Sequence, residues 1–259
     1  MPIANLADMG LHYRLDGPAT ARVLMLSNSL GTDLGMWEPQ MPALTRDFRV
    51  LRYDARGHGL SAVPAGPYSI EDLGRDAVAL LDHLALDRVD FCGLSLGGMT
   101  GMWLGIHAPQ RIRRLVLANT AARVAPPDLW NVRIERVNAG GMAAISDAVL
   151  ARWFSAEFIA REPATLASMK AMMERVPPEG YVACCAAVRD MDQRDGVAGI
   201  AAPTLVIVGK LDAATPPADG EFLAAEIAGA RIVRLPAAHL SNVEMAPAFT
   251  AALSSFLSA

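Results

Sequence analysis

Six short runs of aliphatic and β-branched residues recur along the chain, and stretches with helical patterning separate them. Such runs are typical of strands that are buried on both faces of a parallel sheet. Parallel neighbours are joined by right-handed crossovers, whose helices cover both faces. The pattern therefore predicts an α/β fold with a mostly parallel central sheet flanked by helices. The predicted strands are VLML (23–26), FRVLRYD (48–54), VDFCGL (89–94), RLVLAN (114–119), TLVIVG (204–209) and RIVRLP (231–236).

Other segments extend this sheet and cover it. Residues 3–6 and 11–14 are predicted to form an antiparallel hairpin at one edge. Ser69 and Asp72 have the spacing of a capping box, and apolar residues then recur on one face, which predicts a helix after Ser69. A second helix is predicted over 96–107, because a proline follows shortly and cannot continue the hydrogen-bond ladder.

The alternation of strands and helices breaks for about eighty residues before the strand at 204. Helical segments separated by Gly-Gly and Pro-Pro pairs fill this stretch. We predict a helical cap over 121–196, inserted between core segments 1–120 and 197–259, with all three forming a single structural unit. The predicted cap helices are 128–138, 142–154, 163–175 and 179–189.

Composition restricts the class of protein. Apolar residues make up 53% of the chain and charged residues 19%, which is typical of a globular protein. The net charge of −4 with scattered Lys and Arg argues against a nucleic-acid partner. There is no apolar stretch of the roughly 20 residues that a membrane span needs, and the first residues lack the pattern of a signal peptide. We expect no membrane association and a cytoplasmic location.

The three cysteines, Cys92, Cys184 and Cys185, are an odd number without CxxC spacing. Two of them are adjacent in the sequence. The surroundings of each lack the base and the positive charge that a nucleophilic thiolate needs. We therefore expect reduced residues with a packing role.

The run FCGLSLGG (91–98) places Ser95 between Gly93 and Gly97, directly after an apolar strand and before a helix. A serine on so tight a turn is held in a strained conformation, and the flanking glycines remove Cβ atoms that would collide. The turn resembles the nucleophile turn of α/β-hydrolases. We predict that Ser95 is a catalytic nucleophile. The alternative is a serine that only caps the following helix.

A serine nucleophile needs a base to accept its proton. In α/β-hydrolases the nucleophile comes first in the chain, the acid next and the histidine last. His239 follows the last predicted strand and fits this order, whereas His58, in a glycine-bracketed turn, precedes Ser95. We predict His239 as the base. Surface or packing roles are predicted for the other three histidines, His12, His83 and His107.

Asp212 directly follows the strand TLVIVG and is predicted to lie at the carboxyl edge of the sheet, where open α/β sheets place their sites. There it would accept a hydrogen bond from the far nitrogen of His239 and fix the tautomer of the imidazole. Asp190, Asp192 and Asp195 fall in the predicted cap, where a solvated or ion-paired role is expected. Asp212 is therefore the predicted acid.

Attack on a carbonyl places negative charge on oxygen, which two N–H groups must stabilise. The amide of Leu96, at the start of the helix, is one predicted donor. The second is expected in the loop after VLML, SNSLGT (27–32), where the usual geometry points to Leu30.

Several segments together resemble the 3-oxoadipate enol-lactonases, which hydrolyse the β-ketoadipate enol-lactone in bacterial aromatic catabolism. The resemblance runs almost end to end and implies a small lactone substrate that bears a carboxymethyl group, and no cofactor or metal. A homo-oligomer is compatible with the sequence. The segments are SNSLGTDLGMW (27–37), DARGHGLS (54–61), CGLSLGGMT (92–100), NTAAR (119–123), RWF (152–154), GYVACCAAVRDMDQR (180–194), DAATPP (212–217) and AHLSN (238–242).

The carboxylate of such a substrate would need a cationic partner, because burying it unpaired is costly. Arg133 follows Trp130 by three residues, so both lie on one face of a predicted helix. We predict that they bind the substrate with Trp153, and the alternative for Arg133 is an ion pair with a surface acid such as Glu135. The methionines Met142, Met172 and Met173 line the pocket or pack in the cap.

Two other functions fit the same residues. A related carboxylesterase or perhydrolase would share the nucleophile, base and acid. A non-catalytic ligand receptor is a further alternative, because fold does not fix function, and the intact catalytic set argues against it.

Overall fold

The computed structural model describes residues 2–6, 9–124 and 126–259. Strands occur at the predicted hairpin and at all six predicted aliphatic runs, with bounds that differ by one or two residues in most cases. The strands are β1 (Ile3–Asn5), β2 (Gly10–Asp16), β3 (Val23–Ser27), β4 (Arg49–Tyr53), β5 (Val89–Leu94), β6 (Ile112–Ala118), β7 (Thr204–Gly209) and β8 (Arg231–Leu235).

All eight strands belong to one sheet, in the order β1-β2-β4-β3-β5-β6-β7-β8. The pairs β1/β2 and β2/β4 are antiparallel and the others are parallel, so the predicted hairpin lies at the edge of a mostly parallel sheet. Strands β5 and β7 are buried along their whole length. The predicted fold class is confirmed, and β5 lies near the centre of the sheet.

Helices cover the sheet, and the two that were predicted in the first half of the chain are confirmed. A capping box between Ser69 and Asp72 opens one of them, and the other spans the predicted residues 96–107. The helices are α1 (Met41–Asp47), α2 (Ile70–His83), α3 (Leu96–His107), α4 (Pro127–Gly140), α5 (Ser146–Trp153), α6 (Ala156–Arg161), α7 (Pro163–Glu174), α8 (Pro178–Asp190), α9 (Pro217–Glu226), α10 (Ser241–Glu244) and α11 (Ala246–Ser258).

Helices α4 to α8 fall in the predicted cap, but the predicted helix over 142–154 is wrong in detail. A 3₁₀ turn, Met142–Ala144, precedes α5, and Ile145 between them has φ −124°, outside the helical region, with its side chain buried. Helix α6 was not predicted. It begins because Ser155 Oγ accepts a hydrogen bond from the amide of Phe158. Within the described residues, no helix has both the length and the apolarity needed to cross a bilayer.

The capping box of α2 gives a test of local stability. Ser69 Oγ accepts from the Asp72 amide at 3.1 Å, and the Ser69 amide donates to the Asp72 carboxylate at 2.8 Å. Replacing Ser69 with alanine removes the cap and should lower the free energy of unfolding by about 1 kcal/mol. Urea denaturation measures this change. The control, Ser255→Ala at an exposed position of α11, should change stability by less than about 0.5 kcal/mol; equal effects would contradict the cap.

Candidate active site

The turn between β5 and α3 holds Ser95 in a conformation that few residues adopt. Ser95 has φ 56° and ψ −113°, in the region that L-residues occupy only under constraint. A Cβ on Gly93 would lie 2.0 Å from the Gly97 carbonyl oxygen, and one on Gly97 would lie 2.1 Å from the Ser27 carbonyl oxygen. Only glycines allow so close an approach, as the sequence predicted.

Hydrogen bonds hold the strained residue in place. The Ser95 amide donates to the Ala118 carbonyl of β6 at 2.9 Å, and Thr120 Oγ1 donates to the Ser95 carbonyl at 2.8 Å. The Gly97 amide donates to the Asn28 carbonyl at 2.9 Å. The turn is thus tied to β6 and to the loops that follow β6 and β3, which fixes the main chain of Ser95.

His239 and Asp212 lie on two loops at the carboxyl edge of the sheet, after β8 and β7. His239 Nδ1 lies 2.8 Å from Asp212 Oδ2, and both side chains are buried. Burial by itself raises the pKa of Asp212, but the charge and hydrogen bond of His239, with other donors, outweigh burial and bring it to about 2. The acid is therefore a carboxylate at neutral pH and can orient the imidazole as predicted.

Two residues outside the predicted set hold this pair. Asn119 Nδ2 donates to Asp212 Oδ2 at 3.0 Å and to the Ala238 carbonyl at 3.2 Å, so it joins the acid loop to the base loop. Thr215 donates to Asp212 through both its hydroxyl and its amide. The positive φ of Asn119, 44°, brings its side chain round to these partners. In the sequence each of them follows a strand and lies in a segment of the enol-lactonase resemblance, NTAAR (119–123) or DAATPP (212–217).

A cavity of about 380 Å³ lies above the carboxyl edge of the sheet. Ser95 and His239 both line it, although among the described residues no hydrogen bond joins the hydroxyl to the imidazole. Such bonds often tighten only when substrate binds. Asp212 lies behind His239 and is not a lining residue, and neither is Leu96. The other predicted residues that line the cavity are Leu30, Trp130, Arg133 and Trp153.

The predicted oxyanion donors are main-chain amides on either side of Ser95. Leu30 lines the cavity, and Leu96 is the first residue of α3. Within the part of the chain that the structure describes, neither amide has a hydrogen-bond partner. Since buried amides in native proteins are nearly always paired, two free donors beside Ser95 are suited to bind an oxygen anion.

Two arginines from the cap line the same cavity. Arg133, on α4, stacks on Trp130 with its guanidinium carbon 4.7 Å from the ring centroid. Arg152, on α5, was not predicted; its Nη2 donates to the Ala213 carbonyl at 2.8 Å, and its buried Nε has no partner in the described structure. Burial, followed by the charge of Arg133, lowers the pKa of Arg152. Neither arginine forms an ion pair with an acid of the described chain.

Among the residues that the structure describes, Arg133 forms no ion pair and instead stacks on Trp130, which argues against the surface ion pair with Glu135. The one hint of Arg152 in the sequence is its position next to a tryptophan in RWF (152–154). That hint is weak, because arginines on helices are usually solvated. Of the two predicted roles for Met142, Met172 and Met173, packing in the cap fits the structure, because all three are buried and none lines the cavity.

The remaining candidates have the packing or surface environments that were predicted. All three cysteines are free and buried, and burial raises the pKa of each thiol. Asp190 pairs with Arg189, and Asp192 pairs with Arg194, on the surface of the cap. His83 packs against the ring of Tyr13, and His107 packs against the ring of Trp103. His12 is buried beside Asp54.

Residues 22–246 match the family model of the α/β hydrolase fold, and the chain therefore belongs to the α/β-hydrolase family. It is 41% identical over 246 residues to 3-oxoadipate enol-lactonase 2 of Acinetobacter baylyi, covering 95% of this chain and 92% of that protein. The enol-lactonase of Burkholderia xenovorans LB400, a crystal structure, is 48% identical with a TM-score of 0.98 over 100% of both chains. A malate-bound thermophilic esterase of Thermogutta terrifontis is 28% identical with a TM-score of 0.92, covering 99% and 97%.

Replacing Asp212 with asparagine tests the orientation of the base. An amide in place of the inner oxygen would donate to His239 Nδ1, which moves the imidazole proton to Nε2, the atom that must accept from serine. We expect kcat to fall on the order of 10⁴-fold, with the melting temperature close to that of the unchanged protein. Steady-state kinetics and thermal denaturation measure the two quantities. A kcat within tenfold of the original would refute this assignment.

Proposed function

We propose that this protein opens the ring of 3-oxoadipate enol-lactone with water to give 3-oxoadipate, by way of an acyl-enzyme on Ser95. The observation that carries this proposal is the joint lining of one small cavity by a strained serine, a carboxylate-held histidine and two arginines without ion pairs. The names of two relatives, both enol-lactonases of nearly the same length, support the substrate. No cofactor takes part in the proposed reaction.

The first half of the reaction acylates the serine. Ser95 Oγ attacks the lactone carbonyl carbon while His239 Nε2 takes its proton, and the amides of Leu30 and Leu96 stabilise the oxygen anion that forms. The ring C–O bond then breaks. The leaving oxygen takes the proton from the imidazolium as an enol, which tautomerises to the ketone, and the acyl group stays on Ser95.

The second half releases the product. A water molecule loses a proton to His239 and attacks the acyl carbonyl, and the anion forms again at the same two amides. The bond to Ser95 Oγ breaks as the imidazolium returns the proton to it. Asp212 remains a carboxylate in both halves and stabilises the imidazolium without accepting its proton.

The two arginines support an anionic substrate. Two positive charges facing one cavity repel each other, and this repulsion is relieved when a carboxylate binds between them. A guanidinium also presents paired donors that match a carboxylate. Arg133, Arg152, Trp130 and Trp153 thus combine charge with apolar walls, which suits a small lactone bearing a carboxymethyl group.

A carboxylesterase is the second candidate, because the chain is also similar to the malate-bound esterase. The same serine, histidine and aspartate would act in either enzyme, as they would in a perhydrolase. A cytoplasmic location is part of the proposal, since three free, buried thiols suit a reducing compartment.

Comparing two substrates tests the proposed function. The purified protein is assayed with 3-oxoadipate enol-lactone and with a neutral aryl acetate, and kcat/KM for the lactone should be at least about 10²-fold higher, because a site that pairs a substrate charge discriminates against analogues lacking it. Ser95→Ala should abolish both activities. A preference for the aryl ester would favour the carboxylesterase and overturn the named substrate.

Removing each arginine separately tests the carboxylate site. Arg133→Ala and Arg152→Ala should each raise KM for the lactone by about tenfold or more, since a charge-assisted hydrogen bond contributes about 1.5–3 kcal/mol. KM for the neutral ester should change by less than about twofold, because it has no carboxylate for the guanidinium to bind. Arg136→Ala, an exposed position on the same helix, is the control. An equal increase in KM for the lactone and for the ester would show that the arginines do not bind the substrate carboxylate.

A further inference from the structure

The turn that follows β4 contains a buried histidine that the proposed chemistry does not use. His58 is 1% exposed, and its neighbours Gly57 and Gly59 have φ of 74° and 54°. A Cβ on Gly57 would lie 2.6 Å from Gly180 Cα of helix α8. The turn is therefore pressed against the cap on one side, and the imidazole is directed into the protein.

Both ring nitrogens of His58 have main-chain partners. The Gly31 amide donates to Nε2 at 3.0 Å, and Nδ1 lies 3.2 Å from the Arg56 carbonyl oxygen. An amide can only donate, so Nε2 must carry a lone pair and the proton must be on Nδ1, where it meets the carbonyl. The bonded form is thus the neutral imidazole with one defined tautomer.

The Gly31 amide belongs to the same peptide unit as the Leu30 carbonyl. Because that unit is planar, fixing the amide fixes the carbonyl and restricts the torsions that direct the Leu30 N–H. Gly31 itself has φ 85° and lies close under the rings of Tyr181 and Trp153. Glycine adopts this φ without strain, so the loop is held by its contacts with these two rings and by the hydrogen bond to His58.

We propose that His58 is a positioning residue for the oxyanion site: its neutral imidazole accepts the Gly31 amide and thereby holds the Leu30 N–H toward the reacting carbonyl. This proposal rests on the proposed function. It assigns a role to the DARGHGLS segment, which joins the cap contact at Gly57 to the oxyanion loop.

The charge state of His58 follows from its surroundings. Burial lowers the pKa of His58, and this outweighs the Arg56 carbonyl and the Asp54 carboxylate, which favour the cation. Both of those groups lie on its own turn. The oxyanion loop brings the Gly31 amide to the ring, and the cap packs Gly180 on the turn and directs the Cys184 thiol to the Arg56 carbonyl. A protonated imidazole would turn a second donor toward the Gly31 amide and break the bond.

Two variants separate acceptance of a hydrogen bond from packing. His58→Leu fills similar space but leaves the Gly31 amide unpaired, and it should lower kcat on the aryl ester about 10²-fold with little change in KM, in line with the loss of one oxyanion donor. His58→Gln restores a carbonyl acceptor and should recover kcat to within about tenfold of the original protein. His83→Gln, at an exposed position of α2, is the control and should leave kcat unchanged.

Binding of a trifluoromethyl ketone gives a readout that a purely structural role would not move. The ketone adds to Ser95 and forms an oxygen anion at the two amides, so His58→Leu should weaken it by about the same factor as kcat/KM. Affinity for 3-oxoadipate, a product without that anion, should stay within about twofold, because its binding does not use the oxyanion donors. Thermal denaturation of each variant monitors folding. Equal loss of kcat in the Leu and Gln variants, or undiminished ketone binding by His58→Leu, would overturn the proposal.

The acid limb of the pH profile adds a second test. Activity needs both His239 and His58 neutral, and because burial lowers the pKa of His58, its protonation affects the more acidic part of the profile. The slope of log kcat/KM against pH should therefore steepen from about one toward about two at the acid end in the original protein and stay near one in His58→Gln. Identical slopes would contradict the proposal. The aryl ester is the substrate in every kinetic measurement, so a wrong lactone assignment affects only the 3-oxoadipate comparison and leaves the kcat, ketone and pH results intact. Residual ester hydrolysis by Ser95→Ala would instead refute the proposed function itself.

Discussion

The close approach of β5, α3 and the loop after β3 is the constraint on which the rest of this site depends. Gly97 lies so near the Ser27 carbonyl that any side chain would push the two apart, and Ser95 must take a positive φ to make the turn. The strain is offset by hydrogen bonds to the neighbouring loops. This close approach brings the Ser95 hydroxyl, the N-terminus of α3 and the Leu30 loop together at the carboxyl edge of the sheet.

The electrostatics of the site follow from that placement. Asp212 remains ionised despite burial because donors from three loops surround it, and its charge can stabilise the imidazolium that the proposed reaction forms on His239. The cap is fastened to the same loops: the Leu240 amide donates to the Trp153 carbonyl, and Arg152 donates to the Ala213 carbonyl. Helix α5 therefore closes the cavity and supports the loops of both acid and base.

Much of this arrangement could be predicted from the sequence, for identifiable reasons. Buried strands have an unbroken apolar pattern, and the strand before Ser95 with its flanking glycines leaves few other conformations. The roles of Asn119, His58 and Arg152 depend on side chains that meet across the fold from distant segments. A local sequence pattern does not show such tertiary contacts. A polar residue after a strand, or an arginine on a helix, has the same pattern whether its side chain contacts solvent or a catalytic group.

The most direct test of Ser95 as the nucleophile is covalent labelling. Treatment with a fluorophosphonate followed by peptide mass spectrometry should place one adduct on the peptide that contains Ser95, and the adduct should be lost in Ser95→Ala and form much more slowly in His239→Ala. Labelling of another residue, or unchanged labelling after removal of His239, would contradict the serine and histidine mechanism.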